Sequence, residues 1–343
     1  MNSIVSIPST DQNNEQSTAP KSAKTKPVVL QQAMYSVRDT FGLEVPAEAV
    51  ISGFAASHHS AVPKPTSGFI FNLELLRELT DFLYTQSPDG LMLTGPTGCG
   101  KSSFVREYAA RLNIPFYETS ANARTEFETF IGKWIIVDGN FQWVDGPLVE
   151  AFRDGGVFLI NEIDTMNPDE LTGFNGILDG SSLCLREKDG EIINRHPNFK
   201  MIATGNSAGV GDATGLYGGV KTMNMAFMDR FLVAKVDYMG LEDELSILKA
   251  ISPEFDWDHV LRQMLNVAHD VRDQFKEGKL NTTLSTRTMV RWATRALQLK
   301  SRRTQSPVIE AAHAALLNRV GDTDKAAIEL LLDTHLSSQN DTM

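Results

Sequence analysis

The sequence predicts an α/β fold in which a parallel sheet lies between helices and is followed by an α-helical C-terminal domain. Three observations support this. Short apolar segments near residues 91, 157 and 199 have the composition of buried strands. A glycine-rich turn joins the first of these strands to a helix. Beyond residue 240, apolar residues recur at helical spacing.

The glycine-rich turn has the pattern G-x-x-x-x-G-K-[ST] over residues 95–102. Backbone N–H groups of such a loop wrap a phosphate, and the following helix points its positive end at the same anion. We expect Lys101 to reach the β- and γ-phosphates and Ser102 to ligate Mg²⁺. The expected nucleotide contacts are Gly95, Pro96, Thr97, Gly98, Cys99, Gly100, Lys101, Ser102 and Ser103. The alternative is a glycine-rich turn in an unrelated α/β protein.

Residues 157–164 form an apolar run that ends in acidic groups, as a buried parallel strand does, and the run contains the pair Asn161-Glu162. Glu162 is the candidate base that orients or deprotonates an attacking water. Asn161 occupies the position where an aspartate usually orders the water shell of Mg²⁺, and we expect it to act on the metal through water. Its amide oxygen accepts hydrogen bonds but carries no charge, so we expect weaker Mg²⁺ affinity or slower turnover. The alternative for Glu162 is an ordinary carboxylate at a loop end.

A further strand over residues 199–205 ends at Asn206, which is expected to hold the same water against the γ-phosphate. Its alternative is turn chemistry at a strand end. Two Asp-Gly turns, Asp138-Gly139 and Asp189-Gly190, predict β-hairpin insertions. The aromatic residues of the first hairpin either contact a partner or pack on the base of the hairpin itself.

Composition narrows the class of protein. The 343 residues are 42% hydrophobic, which suits a folded core, and the net charge of −11 disfavours a nucleic-acid partner or an anionic membrane surface. No apolar run reaches the length of about 18 residues that a spanning helix needs, and the polar N-terminus is unlike a signal peptide. Two cysteines, Cys99 and Cys184, form no disulfide framework, so we expect a cytoplasmic protein.

The chain divides into four predicted regions. Residues 1–26 form a polar, disordered tail, and residues 27–67 form a small N-terminal segment and linker. Residues 68–239 form the α/β core, and residues 240–343 form the helical lid and C-terminal helices. Within the small segment, the apolar spacing of residues 29–37 predicts a helix.

The order of these motifs resembles an AAA+ ATPase of the MoxR/dynein-related branch, and within it the CobS-type ATPase subunit of aerobic cobaltochelatase. The similarity covers roughly residues 69–299. It is carried by the stretches FGLEVP at 41–46, RHPNFKMIAT at 195–204, GVGDATGLYG at 209–218 and Met228-Asp229-Arg230.

The resemblance implies a ring, commonly a hexamer, that binds ATP with Mg²⁺ between subunits. It implies that Arg230 is an arginine finger acting in trans, with an ion pair to Asp229 or another nearby acid as the alternative. It also implies that Arg287 is a sensor-2 residue in the lid, with surface charge as the alternative. Branch members work with a protein that carries a von Willebrand A domain, and their hairpins face the ring axis or that partner.

The resemblance therefore predicts a Mg-ATP hydrolase that remodels or activates a partner complex, as a metal-chelatase ATPase subunit would. A different interpretation follows from Asn161, which departs from the usual Asp-Glu pair. In that interpretation the chain is a nucleotide-gated assembly scaffold that hardly hydrolyses ATP. A nucleic-acid motor of the same fold is disfavoured by the acidic composition.

Overall fold

A computed structural model describes residues 30–56, 59–211, 218–251, 253, 256–300 and 306–336. The predicted tail over residues 1–26 lies outside these ranges. Residues 212–217 also lie outside these ranges. They are the centre of the stretch GVGDATGLYG at 209–218, one of the stretches that carry the sequence similarity.

The small N-terminal segment contains β1 (Gln32–Ser36), α1 (Val37–Phe41) and β2 (Val50–Phe54). The helix predicted over residues 29–37 is wrong within the described residues, because residues 32–36 form a strand antiparallel to β2. The Tyr35 hydroxyl also donates to the carbonyl of Phe54 at 2.5 Å. Tertiary strand pairing has overridden the local helical spacing here. The helix begins only at Val37, where the Ser36 hydroxyl accepts from the backbone N–H of Asp39.

The α/β core follows. Its elements are α2 (Leu73–Tyr84), β3 (Gly90–Thr94), α3 (Lys101–Arg111), β4 (Phe116–Ser120), α4 (Glu128–Ile131), β5 (Gly132–Val137), β6 (Asn140–Asp145), α5 (Pro147–Asp154), β7 (Val157–Asn161), α6 (Pro168–Leu171), α7 (Asn175–Leu178), β8 (Leu183–Leu185), β9 (Glu191–Ile193), β10 (Lys200–Gly205), α8 (Met225–Met228) and β11 (Phe231–Lys235). Five strands form a parallel sheet in the order β11-β3-β10-β7-β4. The predicted α/β fold is therefore confirmed, and both predicted hairpins are present as β5-β6 and β8-β9.

The centre of the sheet is buried on both faces because its strands are apolar at nearly every position. Phe158 and Ile160 of β7 pack into a cluster with α5, whereas Val157 and Leu159 pack into the opposite cluster with α2 and α3. Alternate residues of a strand point to opposite faces, so a continuous apolar run fills both layers. The register then brings the carboxyl ends of β3, β7 and β10 to one edge of the sheet.

The C-terminal region is helical, as predicted. It contains α9 (Leu241–Lys249), α10 (Asp258–Lys276), α11 (Thr286–Lys300), α12 (Pro307–Ala315) and α13 (Asp322–Leu336). Its core includes Trp292, whose indole N–H donates to the carbonyl of Val308 at 2.7 Å. Ser285 caps α11, since its hydroxyl accepts from the backbone N–H of Thr288 at 3.1 Å. Of the helices within the described ranges, none is long and apolar enough to cross a bilayer.

A buried ion pair holds the first lid helices together. The Arg272 guanidinium on α10 donates to both carboxylate oxygens of Glu244 on α9, at 2.7 and 2.8 Å. It also donates to the carbonyl of Leu284, ahead of α11, at 2.7 Å. The hydroxyl of Thr286 donates to Glu244 as well. Because the two charged side chains are only 2% and 9% exposed, removing one leaves a desolvated charge without its partner.

We therefore expect Glu244→Ala to lower the free energy of unfolding of the protein by about 3–5 kcal/mol. The matched control is Glu242→Ala, which removes the exposed pair between the same two helices, Arg262 with Glu242. Solvent screens that pair, so the control is expected to change stability little. Urea unfolding followed by circular dichroism measures both. Equal effects of the two substitutions would contradict the importance of burial.

Candidate nucleotide-binding site

The glycine-rich loop joins β3 to α3, and glycine is required at its first position. Gly95 has φ of 152°, and a Cβ built there would lie 1.8 Å from the carbonyl oxygen of Val236. Val236 is fixed in turn, because its N–H donates to the carbonyl of Thr94 at 2.7 Å. Gly98 and Gly100 also have positive φ values, of 74° and 99°. The end of β11 thus packs directly against the loop and leaves no room for a side chain.

Lys101 is the first residue of α3, and its side chain is buried inside the loop. Its ammonium donates to the carbonyl oxygens of Gly95 and Pro96 at 2.7 and 3.0 Å. Burial lowers the pKa of Lys101, while charges that include Asp164 and Glu162 act in the opposite direction. The ammonium is thus held against the carbonyl groups of the loop.

Ser102 and Asn161 are in direct contact. The amide oxygen of Asn161 accepts from the hydroxyl of Ser102 and, at 3.2 Å, from that of Thr204. Its amide nitrogen donates to a carboxylate oxygen of Glu118 at 2.7 Å. Since a carboxylate can only accept, this last bond fixes which way the amide faces. Sequence reasoning missed Glu118, which lies on β4; the adjacency of β4 and β7 would have been needed to find it.

This group of hydroxyl, amide and carboxylate oxygens has the hard donor chemistry that Mg²⁺ takes, together with nucleotide phosphates and waters. Within the described ranges there is no cluster of three or more His, Cys, Asp or Glu side chains arranged to hold a metal ion by itself. The oxygen donors around Asn161 fit Mg²⁺ that is bound together with nucleotide phosphates.

Glu162 follows β7 directly and adopts a left-handed conformation, with φ of 57°. This is uncommon for a residue other than glycine. Its backbone N–H donates to the Thr204 hydroxyl at 3.3 Å, and its carbonyl accepts from the N–H of Thr165 at 2.9 Å. The turn is thus tied to β10 as well as to its own strand. The side chain of Glu162 is exposed beyond the strand end.

Asn206 lies at the end of β10, beside the glycine-rich loop. Its amide oxygen accepts from the hydroxyl of Thr97 at 3.3 Å. A fully buried carboxylate, Asp164, holds the backbone of this turn by accepting from the N–H groups of Asn206 and Ser207 at 2.7 and 3.1 Å. Burial raises the pKa of Asp164. Asp164 was predicted to lie among the acidic groups that end the apolar run of residues 157–164, but no role was assigned to it.

The lid closes one side of the loop. A cavity of about 720 Å³ lies between the loop, the chain ahead of α2 and the lid; Gly98, Phe69, Tyr238 and Arg287 are among its lining residues. That volume is typical of small-molecule sites. Arg287 is exposed and lies close to the loop, since a Cβ built on Gly98 would be 3.9 Å from that of Arg287.

Tyr238 connects the loop to the lid. Its hydroxyl donates to the carbonyl of Thr97 at 3.1 Å, and its ring lies 4.2 Å from the guanidinium carbon of Arg272. Arg272 is the residue whose ion pair with Glu244 holds the lid helices. The glycine-rich loop and the lid are thus linked by direct contacts.

Arg230 does not join this group. Its carbonyl accepts from the N–H of Gly90, at the amino end of β3, whereas the glycine-rich loop follows the carboxyl end. Its guanidinium donates to both oxygens of Asp179 at 2.7 and 2.9 Å and to the carbonyl of Ala226. An ion pair within the chain, one of the two alternatives for this residue, is therefore present. The side chain still remains partly exposed, at 27%.

A parallel sheet with a phosphate-binding loop, polar strand ends and a helical lid defines a P-loop nucleotide-binding protein. Residues 90–231 match the family described as AAA domain (dynein-related subfamily), and residues 244–335 match the CbbQ/NirQ/NorQ C-terminal family. The aerobic cobaltochelatase subunit CobS of Sinorhizobium is 31% identical over 274 residues, which cover 76% of this chain and 80% of that protein. The chain belongs to the AAA+ ATPases of the dynein-related, MoxR/CobS type.

Two further similarities were found. An uncharacterized protein of Staphylococcus haemolyticus is 30% identical over 196 residues, or 56% of this chain and 71% of that protein. Among solved structures, a mutant form of Thermotoga maritima RuvB has a TM-score of 0.49 at 16% identity, covering 77% of this chain and 75% of that one.

The contact between Gly95 and Val236 gives a test of the loop. Gly95→Ala is expected to abolish nucleotide binding, because the new methyl group would collide with a backbone carbonyl that cannot move away alone. Gly190→Ala is the control, since Gly190 also has positive φ but nothing within 4 Å of the built Cβ. Fluorescence anisotropy of a labelled ATP analogue measures the affinity. Retained binding in Gly95→Ala would show that the loop tolerates a different path.

Proposed function

We propose that this protein is a ring-forming Mg-ATP hydrolase that uses ATP to remodel or activate a partner complex. The observation that carries the proposal is the convergence of Lys101, Ser102, Asn161 and Asn206 at one edge of the sheet. Lys101 and Ser102 begin α3, after the loop that follows β3, whereas Asn161 and Asn206 lie at the ends of β7 and β10. Together they suit a nucleoside triphosphate with its metal.

The proposed roles follow from the chemistry of each group. Lys101 neutralises charge on the β- and γ-phosphates, and the backbone N–H groups of Gly95 and of residues 97–103 cradle them. Ser102, with Asn161 acting through water, holds Mg²⁺, which when bound offsets the negative charge of the phosphates. Glu162 takes the proton of the attacking water or orients it, and Asn206 holds that water in line. Arg287 brings the lid to the γ-phosphate.

The position of Arg230 supports a role in trans. Arg230 lies at the amino end of β3, and the five residues of β3 separate it from its own loop by roughly 13 Å of strand. Its guanidinium is bonded at that same end, to Asp179 and Ala226. It is thus far better placed to meet a nucleotide on a neighbouring copy than its own. A closed ring, proposed here as a hexamer, supplies such a neighbour to every subunit.

The proposed partner is a protein with a von Willebrand A domain, and the proposed setting is the cytoplasm. The similarity to the CobS subunit supports a client of the metal-chelatase kind. Cys99 and Cys184 are unpaired thiols, which suits the reducing cytoplasm. The net charge of −11 suits a protein partner better than a nucleic acid.

Asn161 favours a second function, a nucleotide-gated scaffold that assembles on ATP and hardly hydrolyses it. An amide at this position leaves the strand end without the charge that a carboxylate would add to the metal site. Phosphate release by the purified protein in Mg²⁺ decides between the two, since the scaffold predicts assembly on ATP with negligible release.

Glu162→Gln tests the proposed base. The amide cannot accept a proton, so we expect kcat for ATP hydrolysis to fall about a thousandfold, while ATP binding is kept. Phosphate release gives the rate, and anisotropy of a labelled ATP analogue gives the affinity. Unchanged turnover would assign the base to another residue.

Mixed rings test the trans role of Arg230. Arg230→Ala is expected to lower the hydrolysis rate by about 10³-fold or more without loss of ATP binding, and Lys101→Ala is expected to lose phosphate contacts. In a mixture, an intact Arg230 from a Lys101→Ala subunit completes the site of an Arg230→Ala neighbour. Activity should therefore partly recover as the two are combined. If no mixing ratio restores hydrolysis, Arg230 does not act in trans.

A further inference from the structure

We propose that Glu118 supplies the negative charge that Asn161 lacks, so that an amide and a carboxylate on neighbouring strands together form the metal-positioning group. This inference rests on the proposed ATP and Mg²⁺ site and names a further residue of it. Glu118 lies on β4 and Asn161 at the end of β7.

The strand register brings the two side chains together. β4 and β7 are parallel, and Ser120 lies opposite Asn161. Glu118 is two residues before Ser120, so it shares a face of the sheet with it. The Asn161 amide nitrogen donates to one carboxylate oxygen of Glu118 at 2.7 Å. The other end of the same amide accepts from Ser102, the expected metal ligand. A single planar amide thus separates the carboxylate from the metal-binding hydroxyl.

The second oxygen of the carboxylate is held by Arg106. Arg106 lies on α3, one turn beyond Ser102, and its Nε donates to that oxygen at 3.0 Å while Nη2 also donates to it. The Arg106 side chain is 45% exposed, whereas the Glu118 side chain is 20% exposed. The guanidinium therefore has more contact with water than the carboxylate, and solvent weakens its ion pair with Glu118. Arg106 orients Glu118 and leaves the first oxygen directed at Asn161.

The chemistry of Mg²⁺ explains why such a carboxylate matters. This ion usually keeps several of its waters and binds through one or two carboxylates together with nucleotide phosphates. Groups that surround the direct ligands tune the affinity, and their loss typically costs about 10–100-fold. An amide can accept from a metal-bound water but adds no charge. Glu118, hydrogen-bonded to that amide, places a carboxylate charge beside it, which Arg106 offsets in part from the other oxygen.

The amide of Asn161 and the carboxylate of Glu118 can be exchanged between the two strands without changing the total charge of the pair. In Asn161→Asp with Glu118→Gln, the amide would donate from β4 to a carboxylate on β7, so the hydrogen bond and the single charge are both kept. Asn161→Asp alone instead faces one carboxylate with another across the 2.7 Å contact, and two like charges there repel. If Glu118 acted only through its ion pair with Arg106, the double variant would not recover metal binding, because Glu118→Gln removes that ion pair.

The experiment measures the binding of Mn²⁺ to the whole chain saturated with a non-hydrolysable ATP analogue. Mn²⁺ is used in place of Mg²⁺. Electron paramagnetic resonance reports the free Mn²⁺, so activity is not needed. We expect Glu118→Gln to weaken Mn²⁺ binding about tenfold and the double variant to return it to within about twofold of the original chain. Affinity for the analogue in EDTA should be the same in all variants. Glu48→Gln, an exposed residue ahead of β2, is the matched control and should change nothing.

Three results would overturn the inference. Unchanged Mn²⁺ affinity in Glu118→Gln would leave Glu118 as a structural residue only. A loss in Glu118→Gln that the double variant does not recover would assign the effect to the ion pair with Arg106. If the original chain bound no ATP analogue even without metal, the proposed function would fail and this inference with it. The EDTA measurement distinguishes that case from the first two.

Discussion

The site depends on the hydrogen bonds of the Asn161 side-chain amide. This amide accepts from Ser102 at the start of α3 and from Thr204 on β10, and it donates to Glu118 on β4. One planar group therefore joins the phosphate loop to three neighbouring strands. Its two ends have opposite hydrogen-bonding character, and each meets a partner of the matching kind. The same contacts keep the Glu162 turn in place, because Thr204 also accepts from the Glu162 N–H.

The parallel sheet explains how a few residues from distant parts of the sequence are held together in one site. Central strands buried on both faces are held in a fixed register, so residues at their carboxyl ends have little freedom to move apart. Lys101, Asn161 and Asn206 are far apart in sequence, yet their backbones are set by adjacent strands. Side chains at the opposite end of the sheet, such as Arg230, are held apart from them by the same rigidity.

Much of this was visible in the sequence because the signals are local. The loop pattern around Lys101, the apolar strand before Asn161 and the two Asp-Gly turns each occupy a short segment, and each of these elements is present. The strand at residues 32–36 was mistaken for a helix because its pairing with β2 is not local. Glu118 and Asp179 were missed for the same reason, since their partners lie 43 and 51 residues away.

The same limit applies to the roles assigned to the site. The places of Asn206 and Arg287 in the series of motifs predict their roles, and both residues lie beside the glycine-rich loop in the folded chain. Which of them contacts a phosphate depends on a bound nucleotide and a neighbouring copy. Neither is encoded in the spacing of residues along one chain, so those roles remain predictions.

The contacts of Tyr238 have a mechanical consequence. Tyr238 touches the carbonyl of Thr97 with its hydroxyl and Arg272 with its ring, and Arg272 is anchored to Glu244 in the first lid helix. A ligand that favours one path of the Thr97 backbone must then also favour one tilt of the lid. By reciprocity, a partner that bound one position of the lid more tightly would change the affinity of the loop for its ligand by the same factor. One tyrosine thus links the backbone of the loop to the position of the lid helices.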